Sequence, residues 1–193
     1  MLRALLIPVL AACVALAACG DDDDGGDGGS GSGSGETVSA EAYATDVCDS
    51  TQAWMSDLQT RTSDMTEGLA ADATTEDIKD ALVTYLDDAA ADTEDWVQDV
   101  ADAGVPDVEE GEQFAADFQA VAQNVKGALE ELQTGVEDLS TDDQQKFASE
   151  VQKITAATGK SLNKVGEVLS GSASNELESA FESVASCKKV ASS

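Results

Sequence analysis

Histidine is absent from this chain. With it go the commonest general base at neutral pH, most zinc sites and the Glu-x-x-His pairs of di-iron bundles. Basic residues are scarce as well: 10 Lys and Arg stand against 39 Asp and Glu, a formal net charge of −29. A surface of that sign repels nucleic acid and anionic lipid, so nucleic acid is excluded as a partner. The chain also lacks a Gly-rich phosphate loop, a Gly-x-Ser-x-Gly elbow and a Cys-x-x-Cys redox pair. Two carboxylates suffice for glycoside cleavage, so a carboxylate-dependent hydrolase is a remote alternative. Among 39 acids, however, any one pair carries little meaning. The expectation is a protein that is not an enzyme, with no cofactor and no metal.

What is present begins with an export signal. Residues 1–18 carry a basic start at Arg3, an apolar run from Ala4 to Leu16 and small residues after it. That run is shorter than the roughly 20 apolar residues a spanning helix needs. Leu16-Ala17-Ala18-Cys19 resembles the lipobox of bacterial lipoproteins. The resemblance implies that Cys19 becomes the mature N-terminus and carries a diacylglycerol thioether, often with a third acyl chain on its amine. Leu10-Ala11-Ala12-Cys13 fits the same pattern but leaves only Ala4 to Val9 as an apolar run, too short for export. Two or more acyl chains, each adding about 0.8 kcal/mol per buried CH₂, hold a protein persistently on a membrane.

Residues 19–36 then form a lipidated cysteine and a disordered tether. From Gly20 to Gly35 the composition collapses to Gly, Ser and Asp, with nothing apolar to offset the entropy of ordering. Sixteen such residues reach roughly 20 to 25 Å as a flexible coil. The acidic run Asp21 to Asp24 lacks the spaced ligands, central Gly and terminal Glu of a calcium-binding EF-hand, and reads as a solvated spacer.

Residues 37–193 suit one domain with a single core. Apolar positions recur at intervals of three and four almost throughout, and no run alternates with period two, which predicts an all-α fold. The first helix is expected from Ser39 as N-cap to about Met65, with Tyr43, Val47, Cys48, Thr51, Trp54, Met55, Leu58 and Met65 on one face. A second opens at Thr74, whose partner Asp77 resembles a capping box, and ends before Gly104 and Pro106. A third carries Phe114, Phe118, Val121, Val125, Leu129 and Leu132. Thr141 and Gln144 make another capping box for the fourth, which carries Phe147, Val151, Ile154, Thr158, Leu162, Val165 and Leu169. After a break from Gly171 to Asn175, one shorter helix holds Leu177, Phe181, Val184 and Cys187. Short connections predict an up-and-down antiparallel bundle of four long helices plus a short C-terminal one.

Of the four cysteines, two remain once the signal is removed and Cys19 is acylated: Cys48 and Cys187. In an exported chain an even pair at opposite ends of a domain predicts a disulfide, the alternative being two buried thiols. The lipobox, the Asp/Gly/Ser tether, the Ala-Thr-Asp-Val-Cys48 segment, the Ala103-Gly104-Val105-Pro106 turn and the late Cys187 together look like the small secreted lipoproteins of actinobacteria. That resemblance implies an envelope protein of unassigned function and brings no catalytic residues.

Loss of Arg3 with the signal leaves nine basic against 39 acidic residues, or −30. The charge is uneven: Glu41 to Glu110 holds 20 acids and two bases, whereas Gln144 to Lys164 holds four lysines and one acid. Lys146, Lys153 and Lys160 stand seven apart, with Lys164 one turn further on. They could form a docking stripe for an anionic wall component or acidic partner, or pair with the protein's own acids. Thr51, Thr93 and Thr158 interrupt apolar faces, and counting from the turns places them in or near one layer. Each hydroxyl could bond the carbonyl four residues back. Otherwise they could line a ligand cavity with Trp54, Trp96 and Tyr85. The functional expectation is a lipid-anchored interaction or accessory module on the extracytoplasmic face of the cell membrane, with an envelope protein or cell-wall component as partner. The alternative is a carrier of a small apolar ligand inside the bundle.

Overall fold

The computed structural model describes residues 36–156 and 174–190. Three long helices account for most of it: α1 (Ala40–Gly68), α2 (Thr75–Asp102) and α3 (Gly111–Glu137). A fourth, α4, is described over 144–156, and α5 (Asn175–Ser183) and α6 (Ala185–Val190) close the chain. Two short strands, β1 (Thr37–Val38) and β2 (Val105–Pro106), pair in parallel. The domain is an all-helical bundle, as the period of three and four predicts.

Local chemistry sets the helix ends. The Ser39 hydroxyl accepts from the Ala42 amide at 3.2 Å, an N-cap that satisfies one of the free donors of the first turn. Thr74 and Asp77 form the full reciprocal box: the Asp77 amide donates to Thr74 Oγ1 at 3.2 Å, and the Thr74 amide donates to the Asp77 carboxylate at 2.8 Å. That backbone bond, with one from the Thr74 hydroxyl, holds the Asp77 carboxyl below its ordinary pKa. Gly104 takes φ +81, the left-handed conformation a helix end needs, and a Cβ there would overlap the Glu36 carbonyl oxygen.

Several boundaries differ from expectation. α1 runs to Gly68, three residues past Met65, because nothing before Gly68 disrupts the backbone. The fourth helix is capped by Asp143, whose Oδ1 accepts from the Lys146 amide at 3.0 Å, rather than by Thr141. Ser140 and Asp142 close a turn of their own just upstream, and this moves the cap past Thr141. The C-terminal helix is two helices, split where Val184 turns extended (φ −72, ψ 131). The β1–β2 pair went unanticipated because two residues cannot display a period. Its bonds run from the Val105 amide to the Glu36 carbonyl at 3.0 Å and from the Asp107 amide to the Val38 carbonyl at 2.7 Å.

Cross-helix contacts fix the directions. Position 54 of α1 meets position 93 of α2, and position 62 meets position 85, so the two run antiparallel. Lys79 of α2 donates to the Glu137 and Leu139 carbonyls at 2.5 and 2.8 Å, placing the start of α2 beside the end of α3. There its positive charge complements the free carbonyls of the α3 C-terminus. Ile154 of α4 packs on Gly135 of α3.

The core is densest at the end where the strands pair. Tyr43, Trp96, Phe114, Phe118 and Leu177 are at most 2% exposed. Six of the eight aromatic residues connect in one network there, in which Phe114 touches Tyr43, Phe118 and Phe181 while Trp96 touches Trp54 and Phe118. Towards the α1–α2 turn the core thins to two smaller clusters, one around Ile78, Phe147 and Val151 and one around Leu86, Leu132 and Val136.

Candidate functional site

Of the three threonines expected in or near one layer, Thr51 and Thr93 share one, and their geometry is reciprocal. Thr51 and Trp54 stand one turn apart on α1, as Thr93 and Trp96 do on α2. Because the helices are antiparallel, each tryptophan crosses to the other helix's threonine. Trp54 Nε1 donates to Thr93 Oγ1 at 2.9 Å, and Trp96 Nε1 donates to Thr51 Oγ1 at 3.1 Å. Each hydroxyl in turn donates to the carbonyl four residues back, Thr51 to Val47 and Thr93 to Ala89, both at 2.7 Å. The indole rings stack between them with centroids 4.4 Å apart and an 11° interplanar angle. Thr51 and Thr93 are 5% and 0% exposed, so each buried hydroxyl and indole N–H is satisfied inside the layer. The repeated Thr-x-x-Trp spacing is the sequence signal for this clasp.

Tyr85 stands apart from the clasp, two helical turns or about 12 Å from Thr93 along α2. Its Oη lies 3.3 Å from the Thr62 hydroxyl, and its ring lines a groove of about 620 Å³ between the C-terminal half of α1 and the N-terminal half of α2. Thr158 lies outside the described residues, as do Lys160, Lys164 and Cys19.

Cys48 of α1 and Cys187 of α6 are bonded, with Cα atoms 5.0 Å apart and a sequence separation of 139. The turn at Val184 lays α6 against α1 and brings Cys187 to Cys48. Tyr43, also on α1, buries its hydroxyl without a hydrogen-bond partner among the described residues, and burial pushes its pKa well above the ordinary phenol value.

The described lysines of the stripe are exposed. Lys153 pairs with Glu150 on its own helix at 2.8 Å, which lowers the Glu150 pKa. Two further cations also meet the chain's own acids. Arg61 of α1 forks onto Asp92 of α2 and reaches Asp88 at 2.9 Å, while Lys126 of α3 pairs with Glu94 of α2. Such partly exposed pairs add little stability individually, but they tie α1 to α2 and α2 to α3 in fixed register. Among the described residues no group of three or more Cys, Asp or Glu is placed to hold a metal ion, and no helix is long and apolar enough to cross a membrane.

These features define a class, an acidic all-helical bundle locked by one disulfide across its two ends. No protein family, no curated protein and no solved structure matches the chain.

Proposed function

We propose that this protein is a lipid-anchored component of the cell envelope, held on the extracytoplasmic face by acyl chains on Cys19. It acts as a non-enzymatic interaction or accessory module for an envelope protein or cell-wall component. The observation that carries this reading is the reciprocal Trp54–Thr93 and Trp96–Thr51 clasp. The layer expected to line a ligand cavity is occupied by the stacked indoles of Trp54 and Trp96, and its hydroxyl and indole N–H groups bond within the layer. An interaction module works through its surface, and this chain is strongly acidic. The Cys48–Cys187 bridge suits an oxidising compartment.

Two measurements in the native host test the reading. Cys19→Ser should move the protein from the membrane pellet to the soluble fraction; if it stays in the pellet, the anchor is wrong. Crosslinking in intact cells should yield a discrete heavier species containing a second polypeptide. Purification with a stoichiometric small molecule and no second chain would replace the module with a carrier.

A further inference from the structure

The buried residues of α1 stop at Thr51, yet its apolar stripe continues through Met55, Leu58, Met65 and Leu69, all half-buried. The groove of about 620 Å³ opens on the last part of that stripe. Met65 of α1, Leu69 and Ala73 of the turn between the helices, and Ala81 of α2 supply its apolar lining. Residues 77–88 of α2 line it, about 16 Å of helix, or three turns.

Charge selects the occupant. Asp64, Asp77, Asp80 and Asp88 stand on the rim. Arg61, the lining cation, is already engaged with Asp88 and Asp92, and Lys79 turns away to the end of α3. Asp64 and Asp80 therefore have no ion pair among the described residues. The C-terminus of α1 also points its free carbonyls to this end, and no basic residue lies in its last turn; a helix C-terminus favours cations. The N-terminus of α2, which would favour anions, is already answered by Glu76 and the Asp77 box.

We propose that this groove is the docking site of the interaction module, and that its occupant is a basic, amphipathic helical segment of a partner protein. The segment's apolar face covers Met65, Leu69, Ala73 and Ala81, and its Lys or Arg residues meet Asp64 and Asp80. This is helix-in-groove recognition, with charge setting specificity and encounter rate. The inference rests on the module reading.

The test uses the full mature chain carrying Cys19→Ser, which avoids detergent that would itself absorb an amphipathic probe. The probe is a fluorescent 14-residue peptide of leucine and lysine spaced to give one apolar and one basic helical face. A second peptide replaces each leucine with glutamine at unchanged charge. Any cation is drawn to a chain of this charge, so the controls decide. Asp64→Lys with Asp80→Lys should weaken binding at least tenfold. Asp46→Lys with Asp49→Lys, exposed residues near the start of α1, should weaken it less than threefold. The glutamine peptide should bind at least tenfold more weakly than the leucine one. Equal loss at both Asp pairs, or equal binding of both peptides, would reduce the effect to general attraction and overturn the site. A photo-crosslinker placed at Ala70, exposed on the groove's edge, should capture the peptide. Capture only of residues 157–173 of the same chain, or of a second copy, would overturn it too. A partner crosslinked in cells whose capture ignores Asp64 and Asp80 would sink the groove but leave the module reading standing.

Discussion

The Trp–Thr clasp is symmetric in its bonds but not in its burial, and that asymmetry predicts unequal costs for two chemically identical substitutions. Thr→Val keeps the shape of the side chain and deletes the hydroxyl. In Thr51→Val the donor left behind is the indole N–H of Trp96, a residue 2% exposed. Water cannot reach it, so the full penalty of an unsatisfied buried donor applies, about 1–3 kcal/mol. In Thr93→Val the stranded donor belongs to Trp54, which is half-buried and can turn its N–H to solvent. The loss is then the net worth of one hydrogen bond, about 0.5–1.5 kcal/mol. The Val47 and Ala89 carbonyls keep their helix bonds in both variants, and Val and Thr have similar helix propensity, so the local backbone contributes little to the difference. Urea unfolding followed by circular dichroism at 222 nm reads both costs without relying on tryptophan emission. Adding Trp96→Phe to Thr51→Val should cost at least about 1 kcal/mol less than Trp96→Phe alone, since the stranded donor is gone. The reasoning fails if Thr93→Val is as costly as Thr51→Val, or if the double variant is additive.

Four further outcomes follow from the same structure. Cys48→Ala with Cys187→Ala should lower stability by up to about 5 kcal/mol, the loop-closure value for 139 residues; unchanged urea midpoints would contradict the bridge's role in holding α6 on α1. Tyr43→Phe removes a buried hydroxyl that has no partner among the described residues and should raise stability by about 1–3 kcal/mol, whereas destabilisation would mean that the hydroxyl is satisfied in solution. Gly111→Ala would drive a Cβ into the Pro106 carbonyl and should cost about 1–3 kcal/mol in a thermal melt; a neutral result would show that the turn before α3 can open. Asp77 has a lowered pKa in the fold, so its contribution is full above its unfolded pKa near 4 and disappears as pH falls through the folded value. The stability gap between the unmodified chain and Asp77→Asn should therefore narrow on acidification, and a gap that widens would reverse the assignment.

Much of the helical frame was legible because its signals are local. The Thr74–Asp77 box, the Gly104 turn and the apolar period each act within a few residues, and each is found where the pattern puts it. The shared layer of Thr51 and Thr93 could be counted from the turns because α1 and α2 run without interruption between them. The Cys48–Cys187 bridge followed from the expectation of export rather than from geometry. The misplaced features depend on competition or on distance. Asp143 displaces Thr141 as cap because two good capping residues stand close together and sequence does not say which one the helix uses. The turn at Val184 answers to a contact with α1, some 140 residues earlier in the chain. Glu110 adopts a left-handed φ of 63, which its residue type does not advertise, as α3 begins with Gly111 pressed against Pro106. The groove was invisible because it depends on where α1 stops being covered, and its apolar stripe looks the same on both sides of Thr51.

Native mass spectrometry of the protein gently extracted from its own membranes tests the central claim most directly. The account predicts a chain beginning at acylated Cys19, two daltons lighter for the Cys48–Cys187 bridge, carrying a second polypeptide and no retained small molecule. A stoichiometric small ligand on an otherwise solitary chain, or a mature mass without acyl groups, would contradict it.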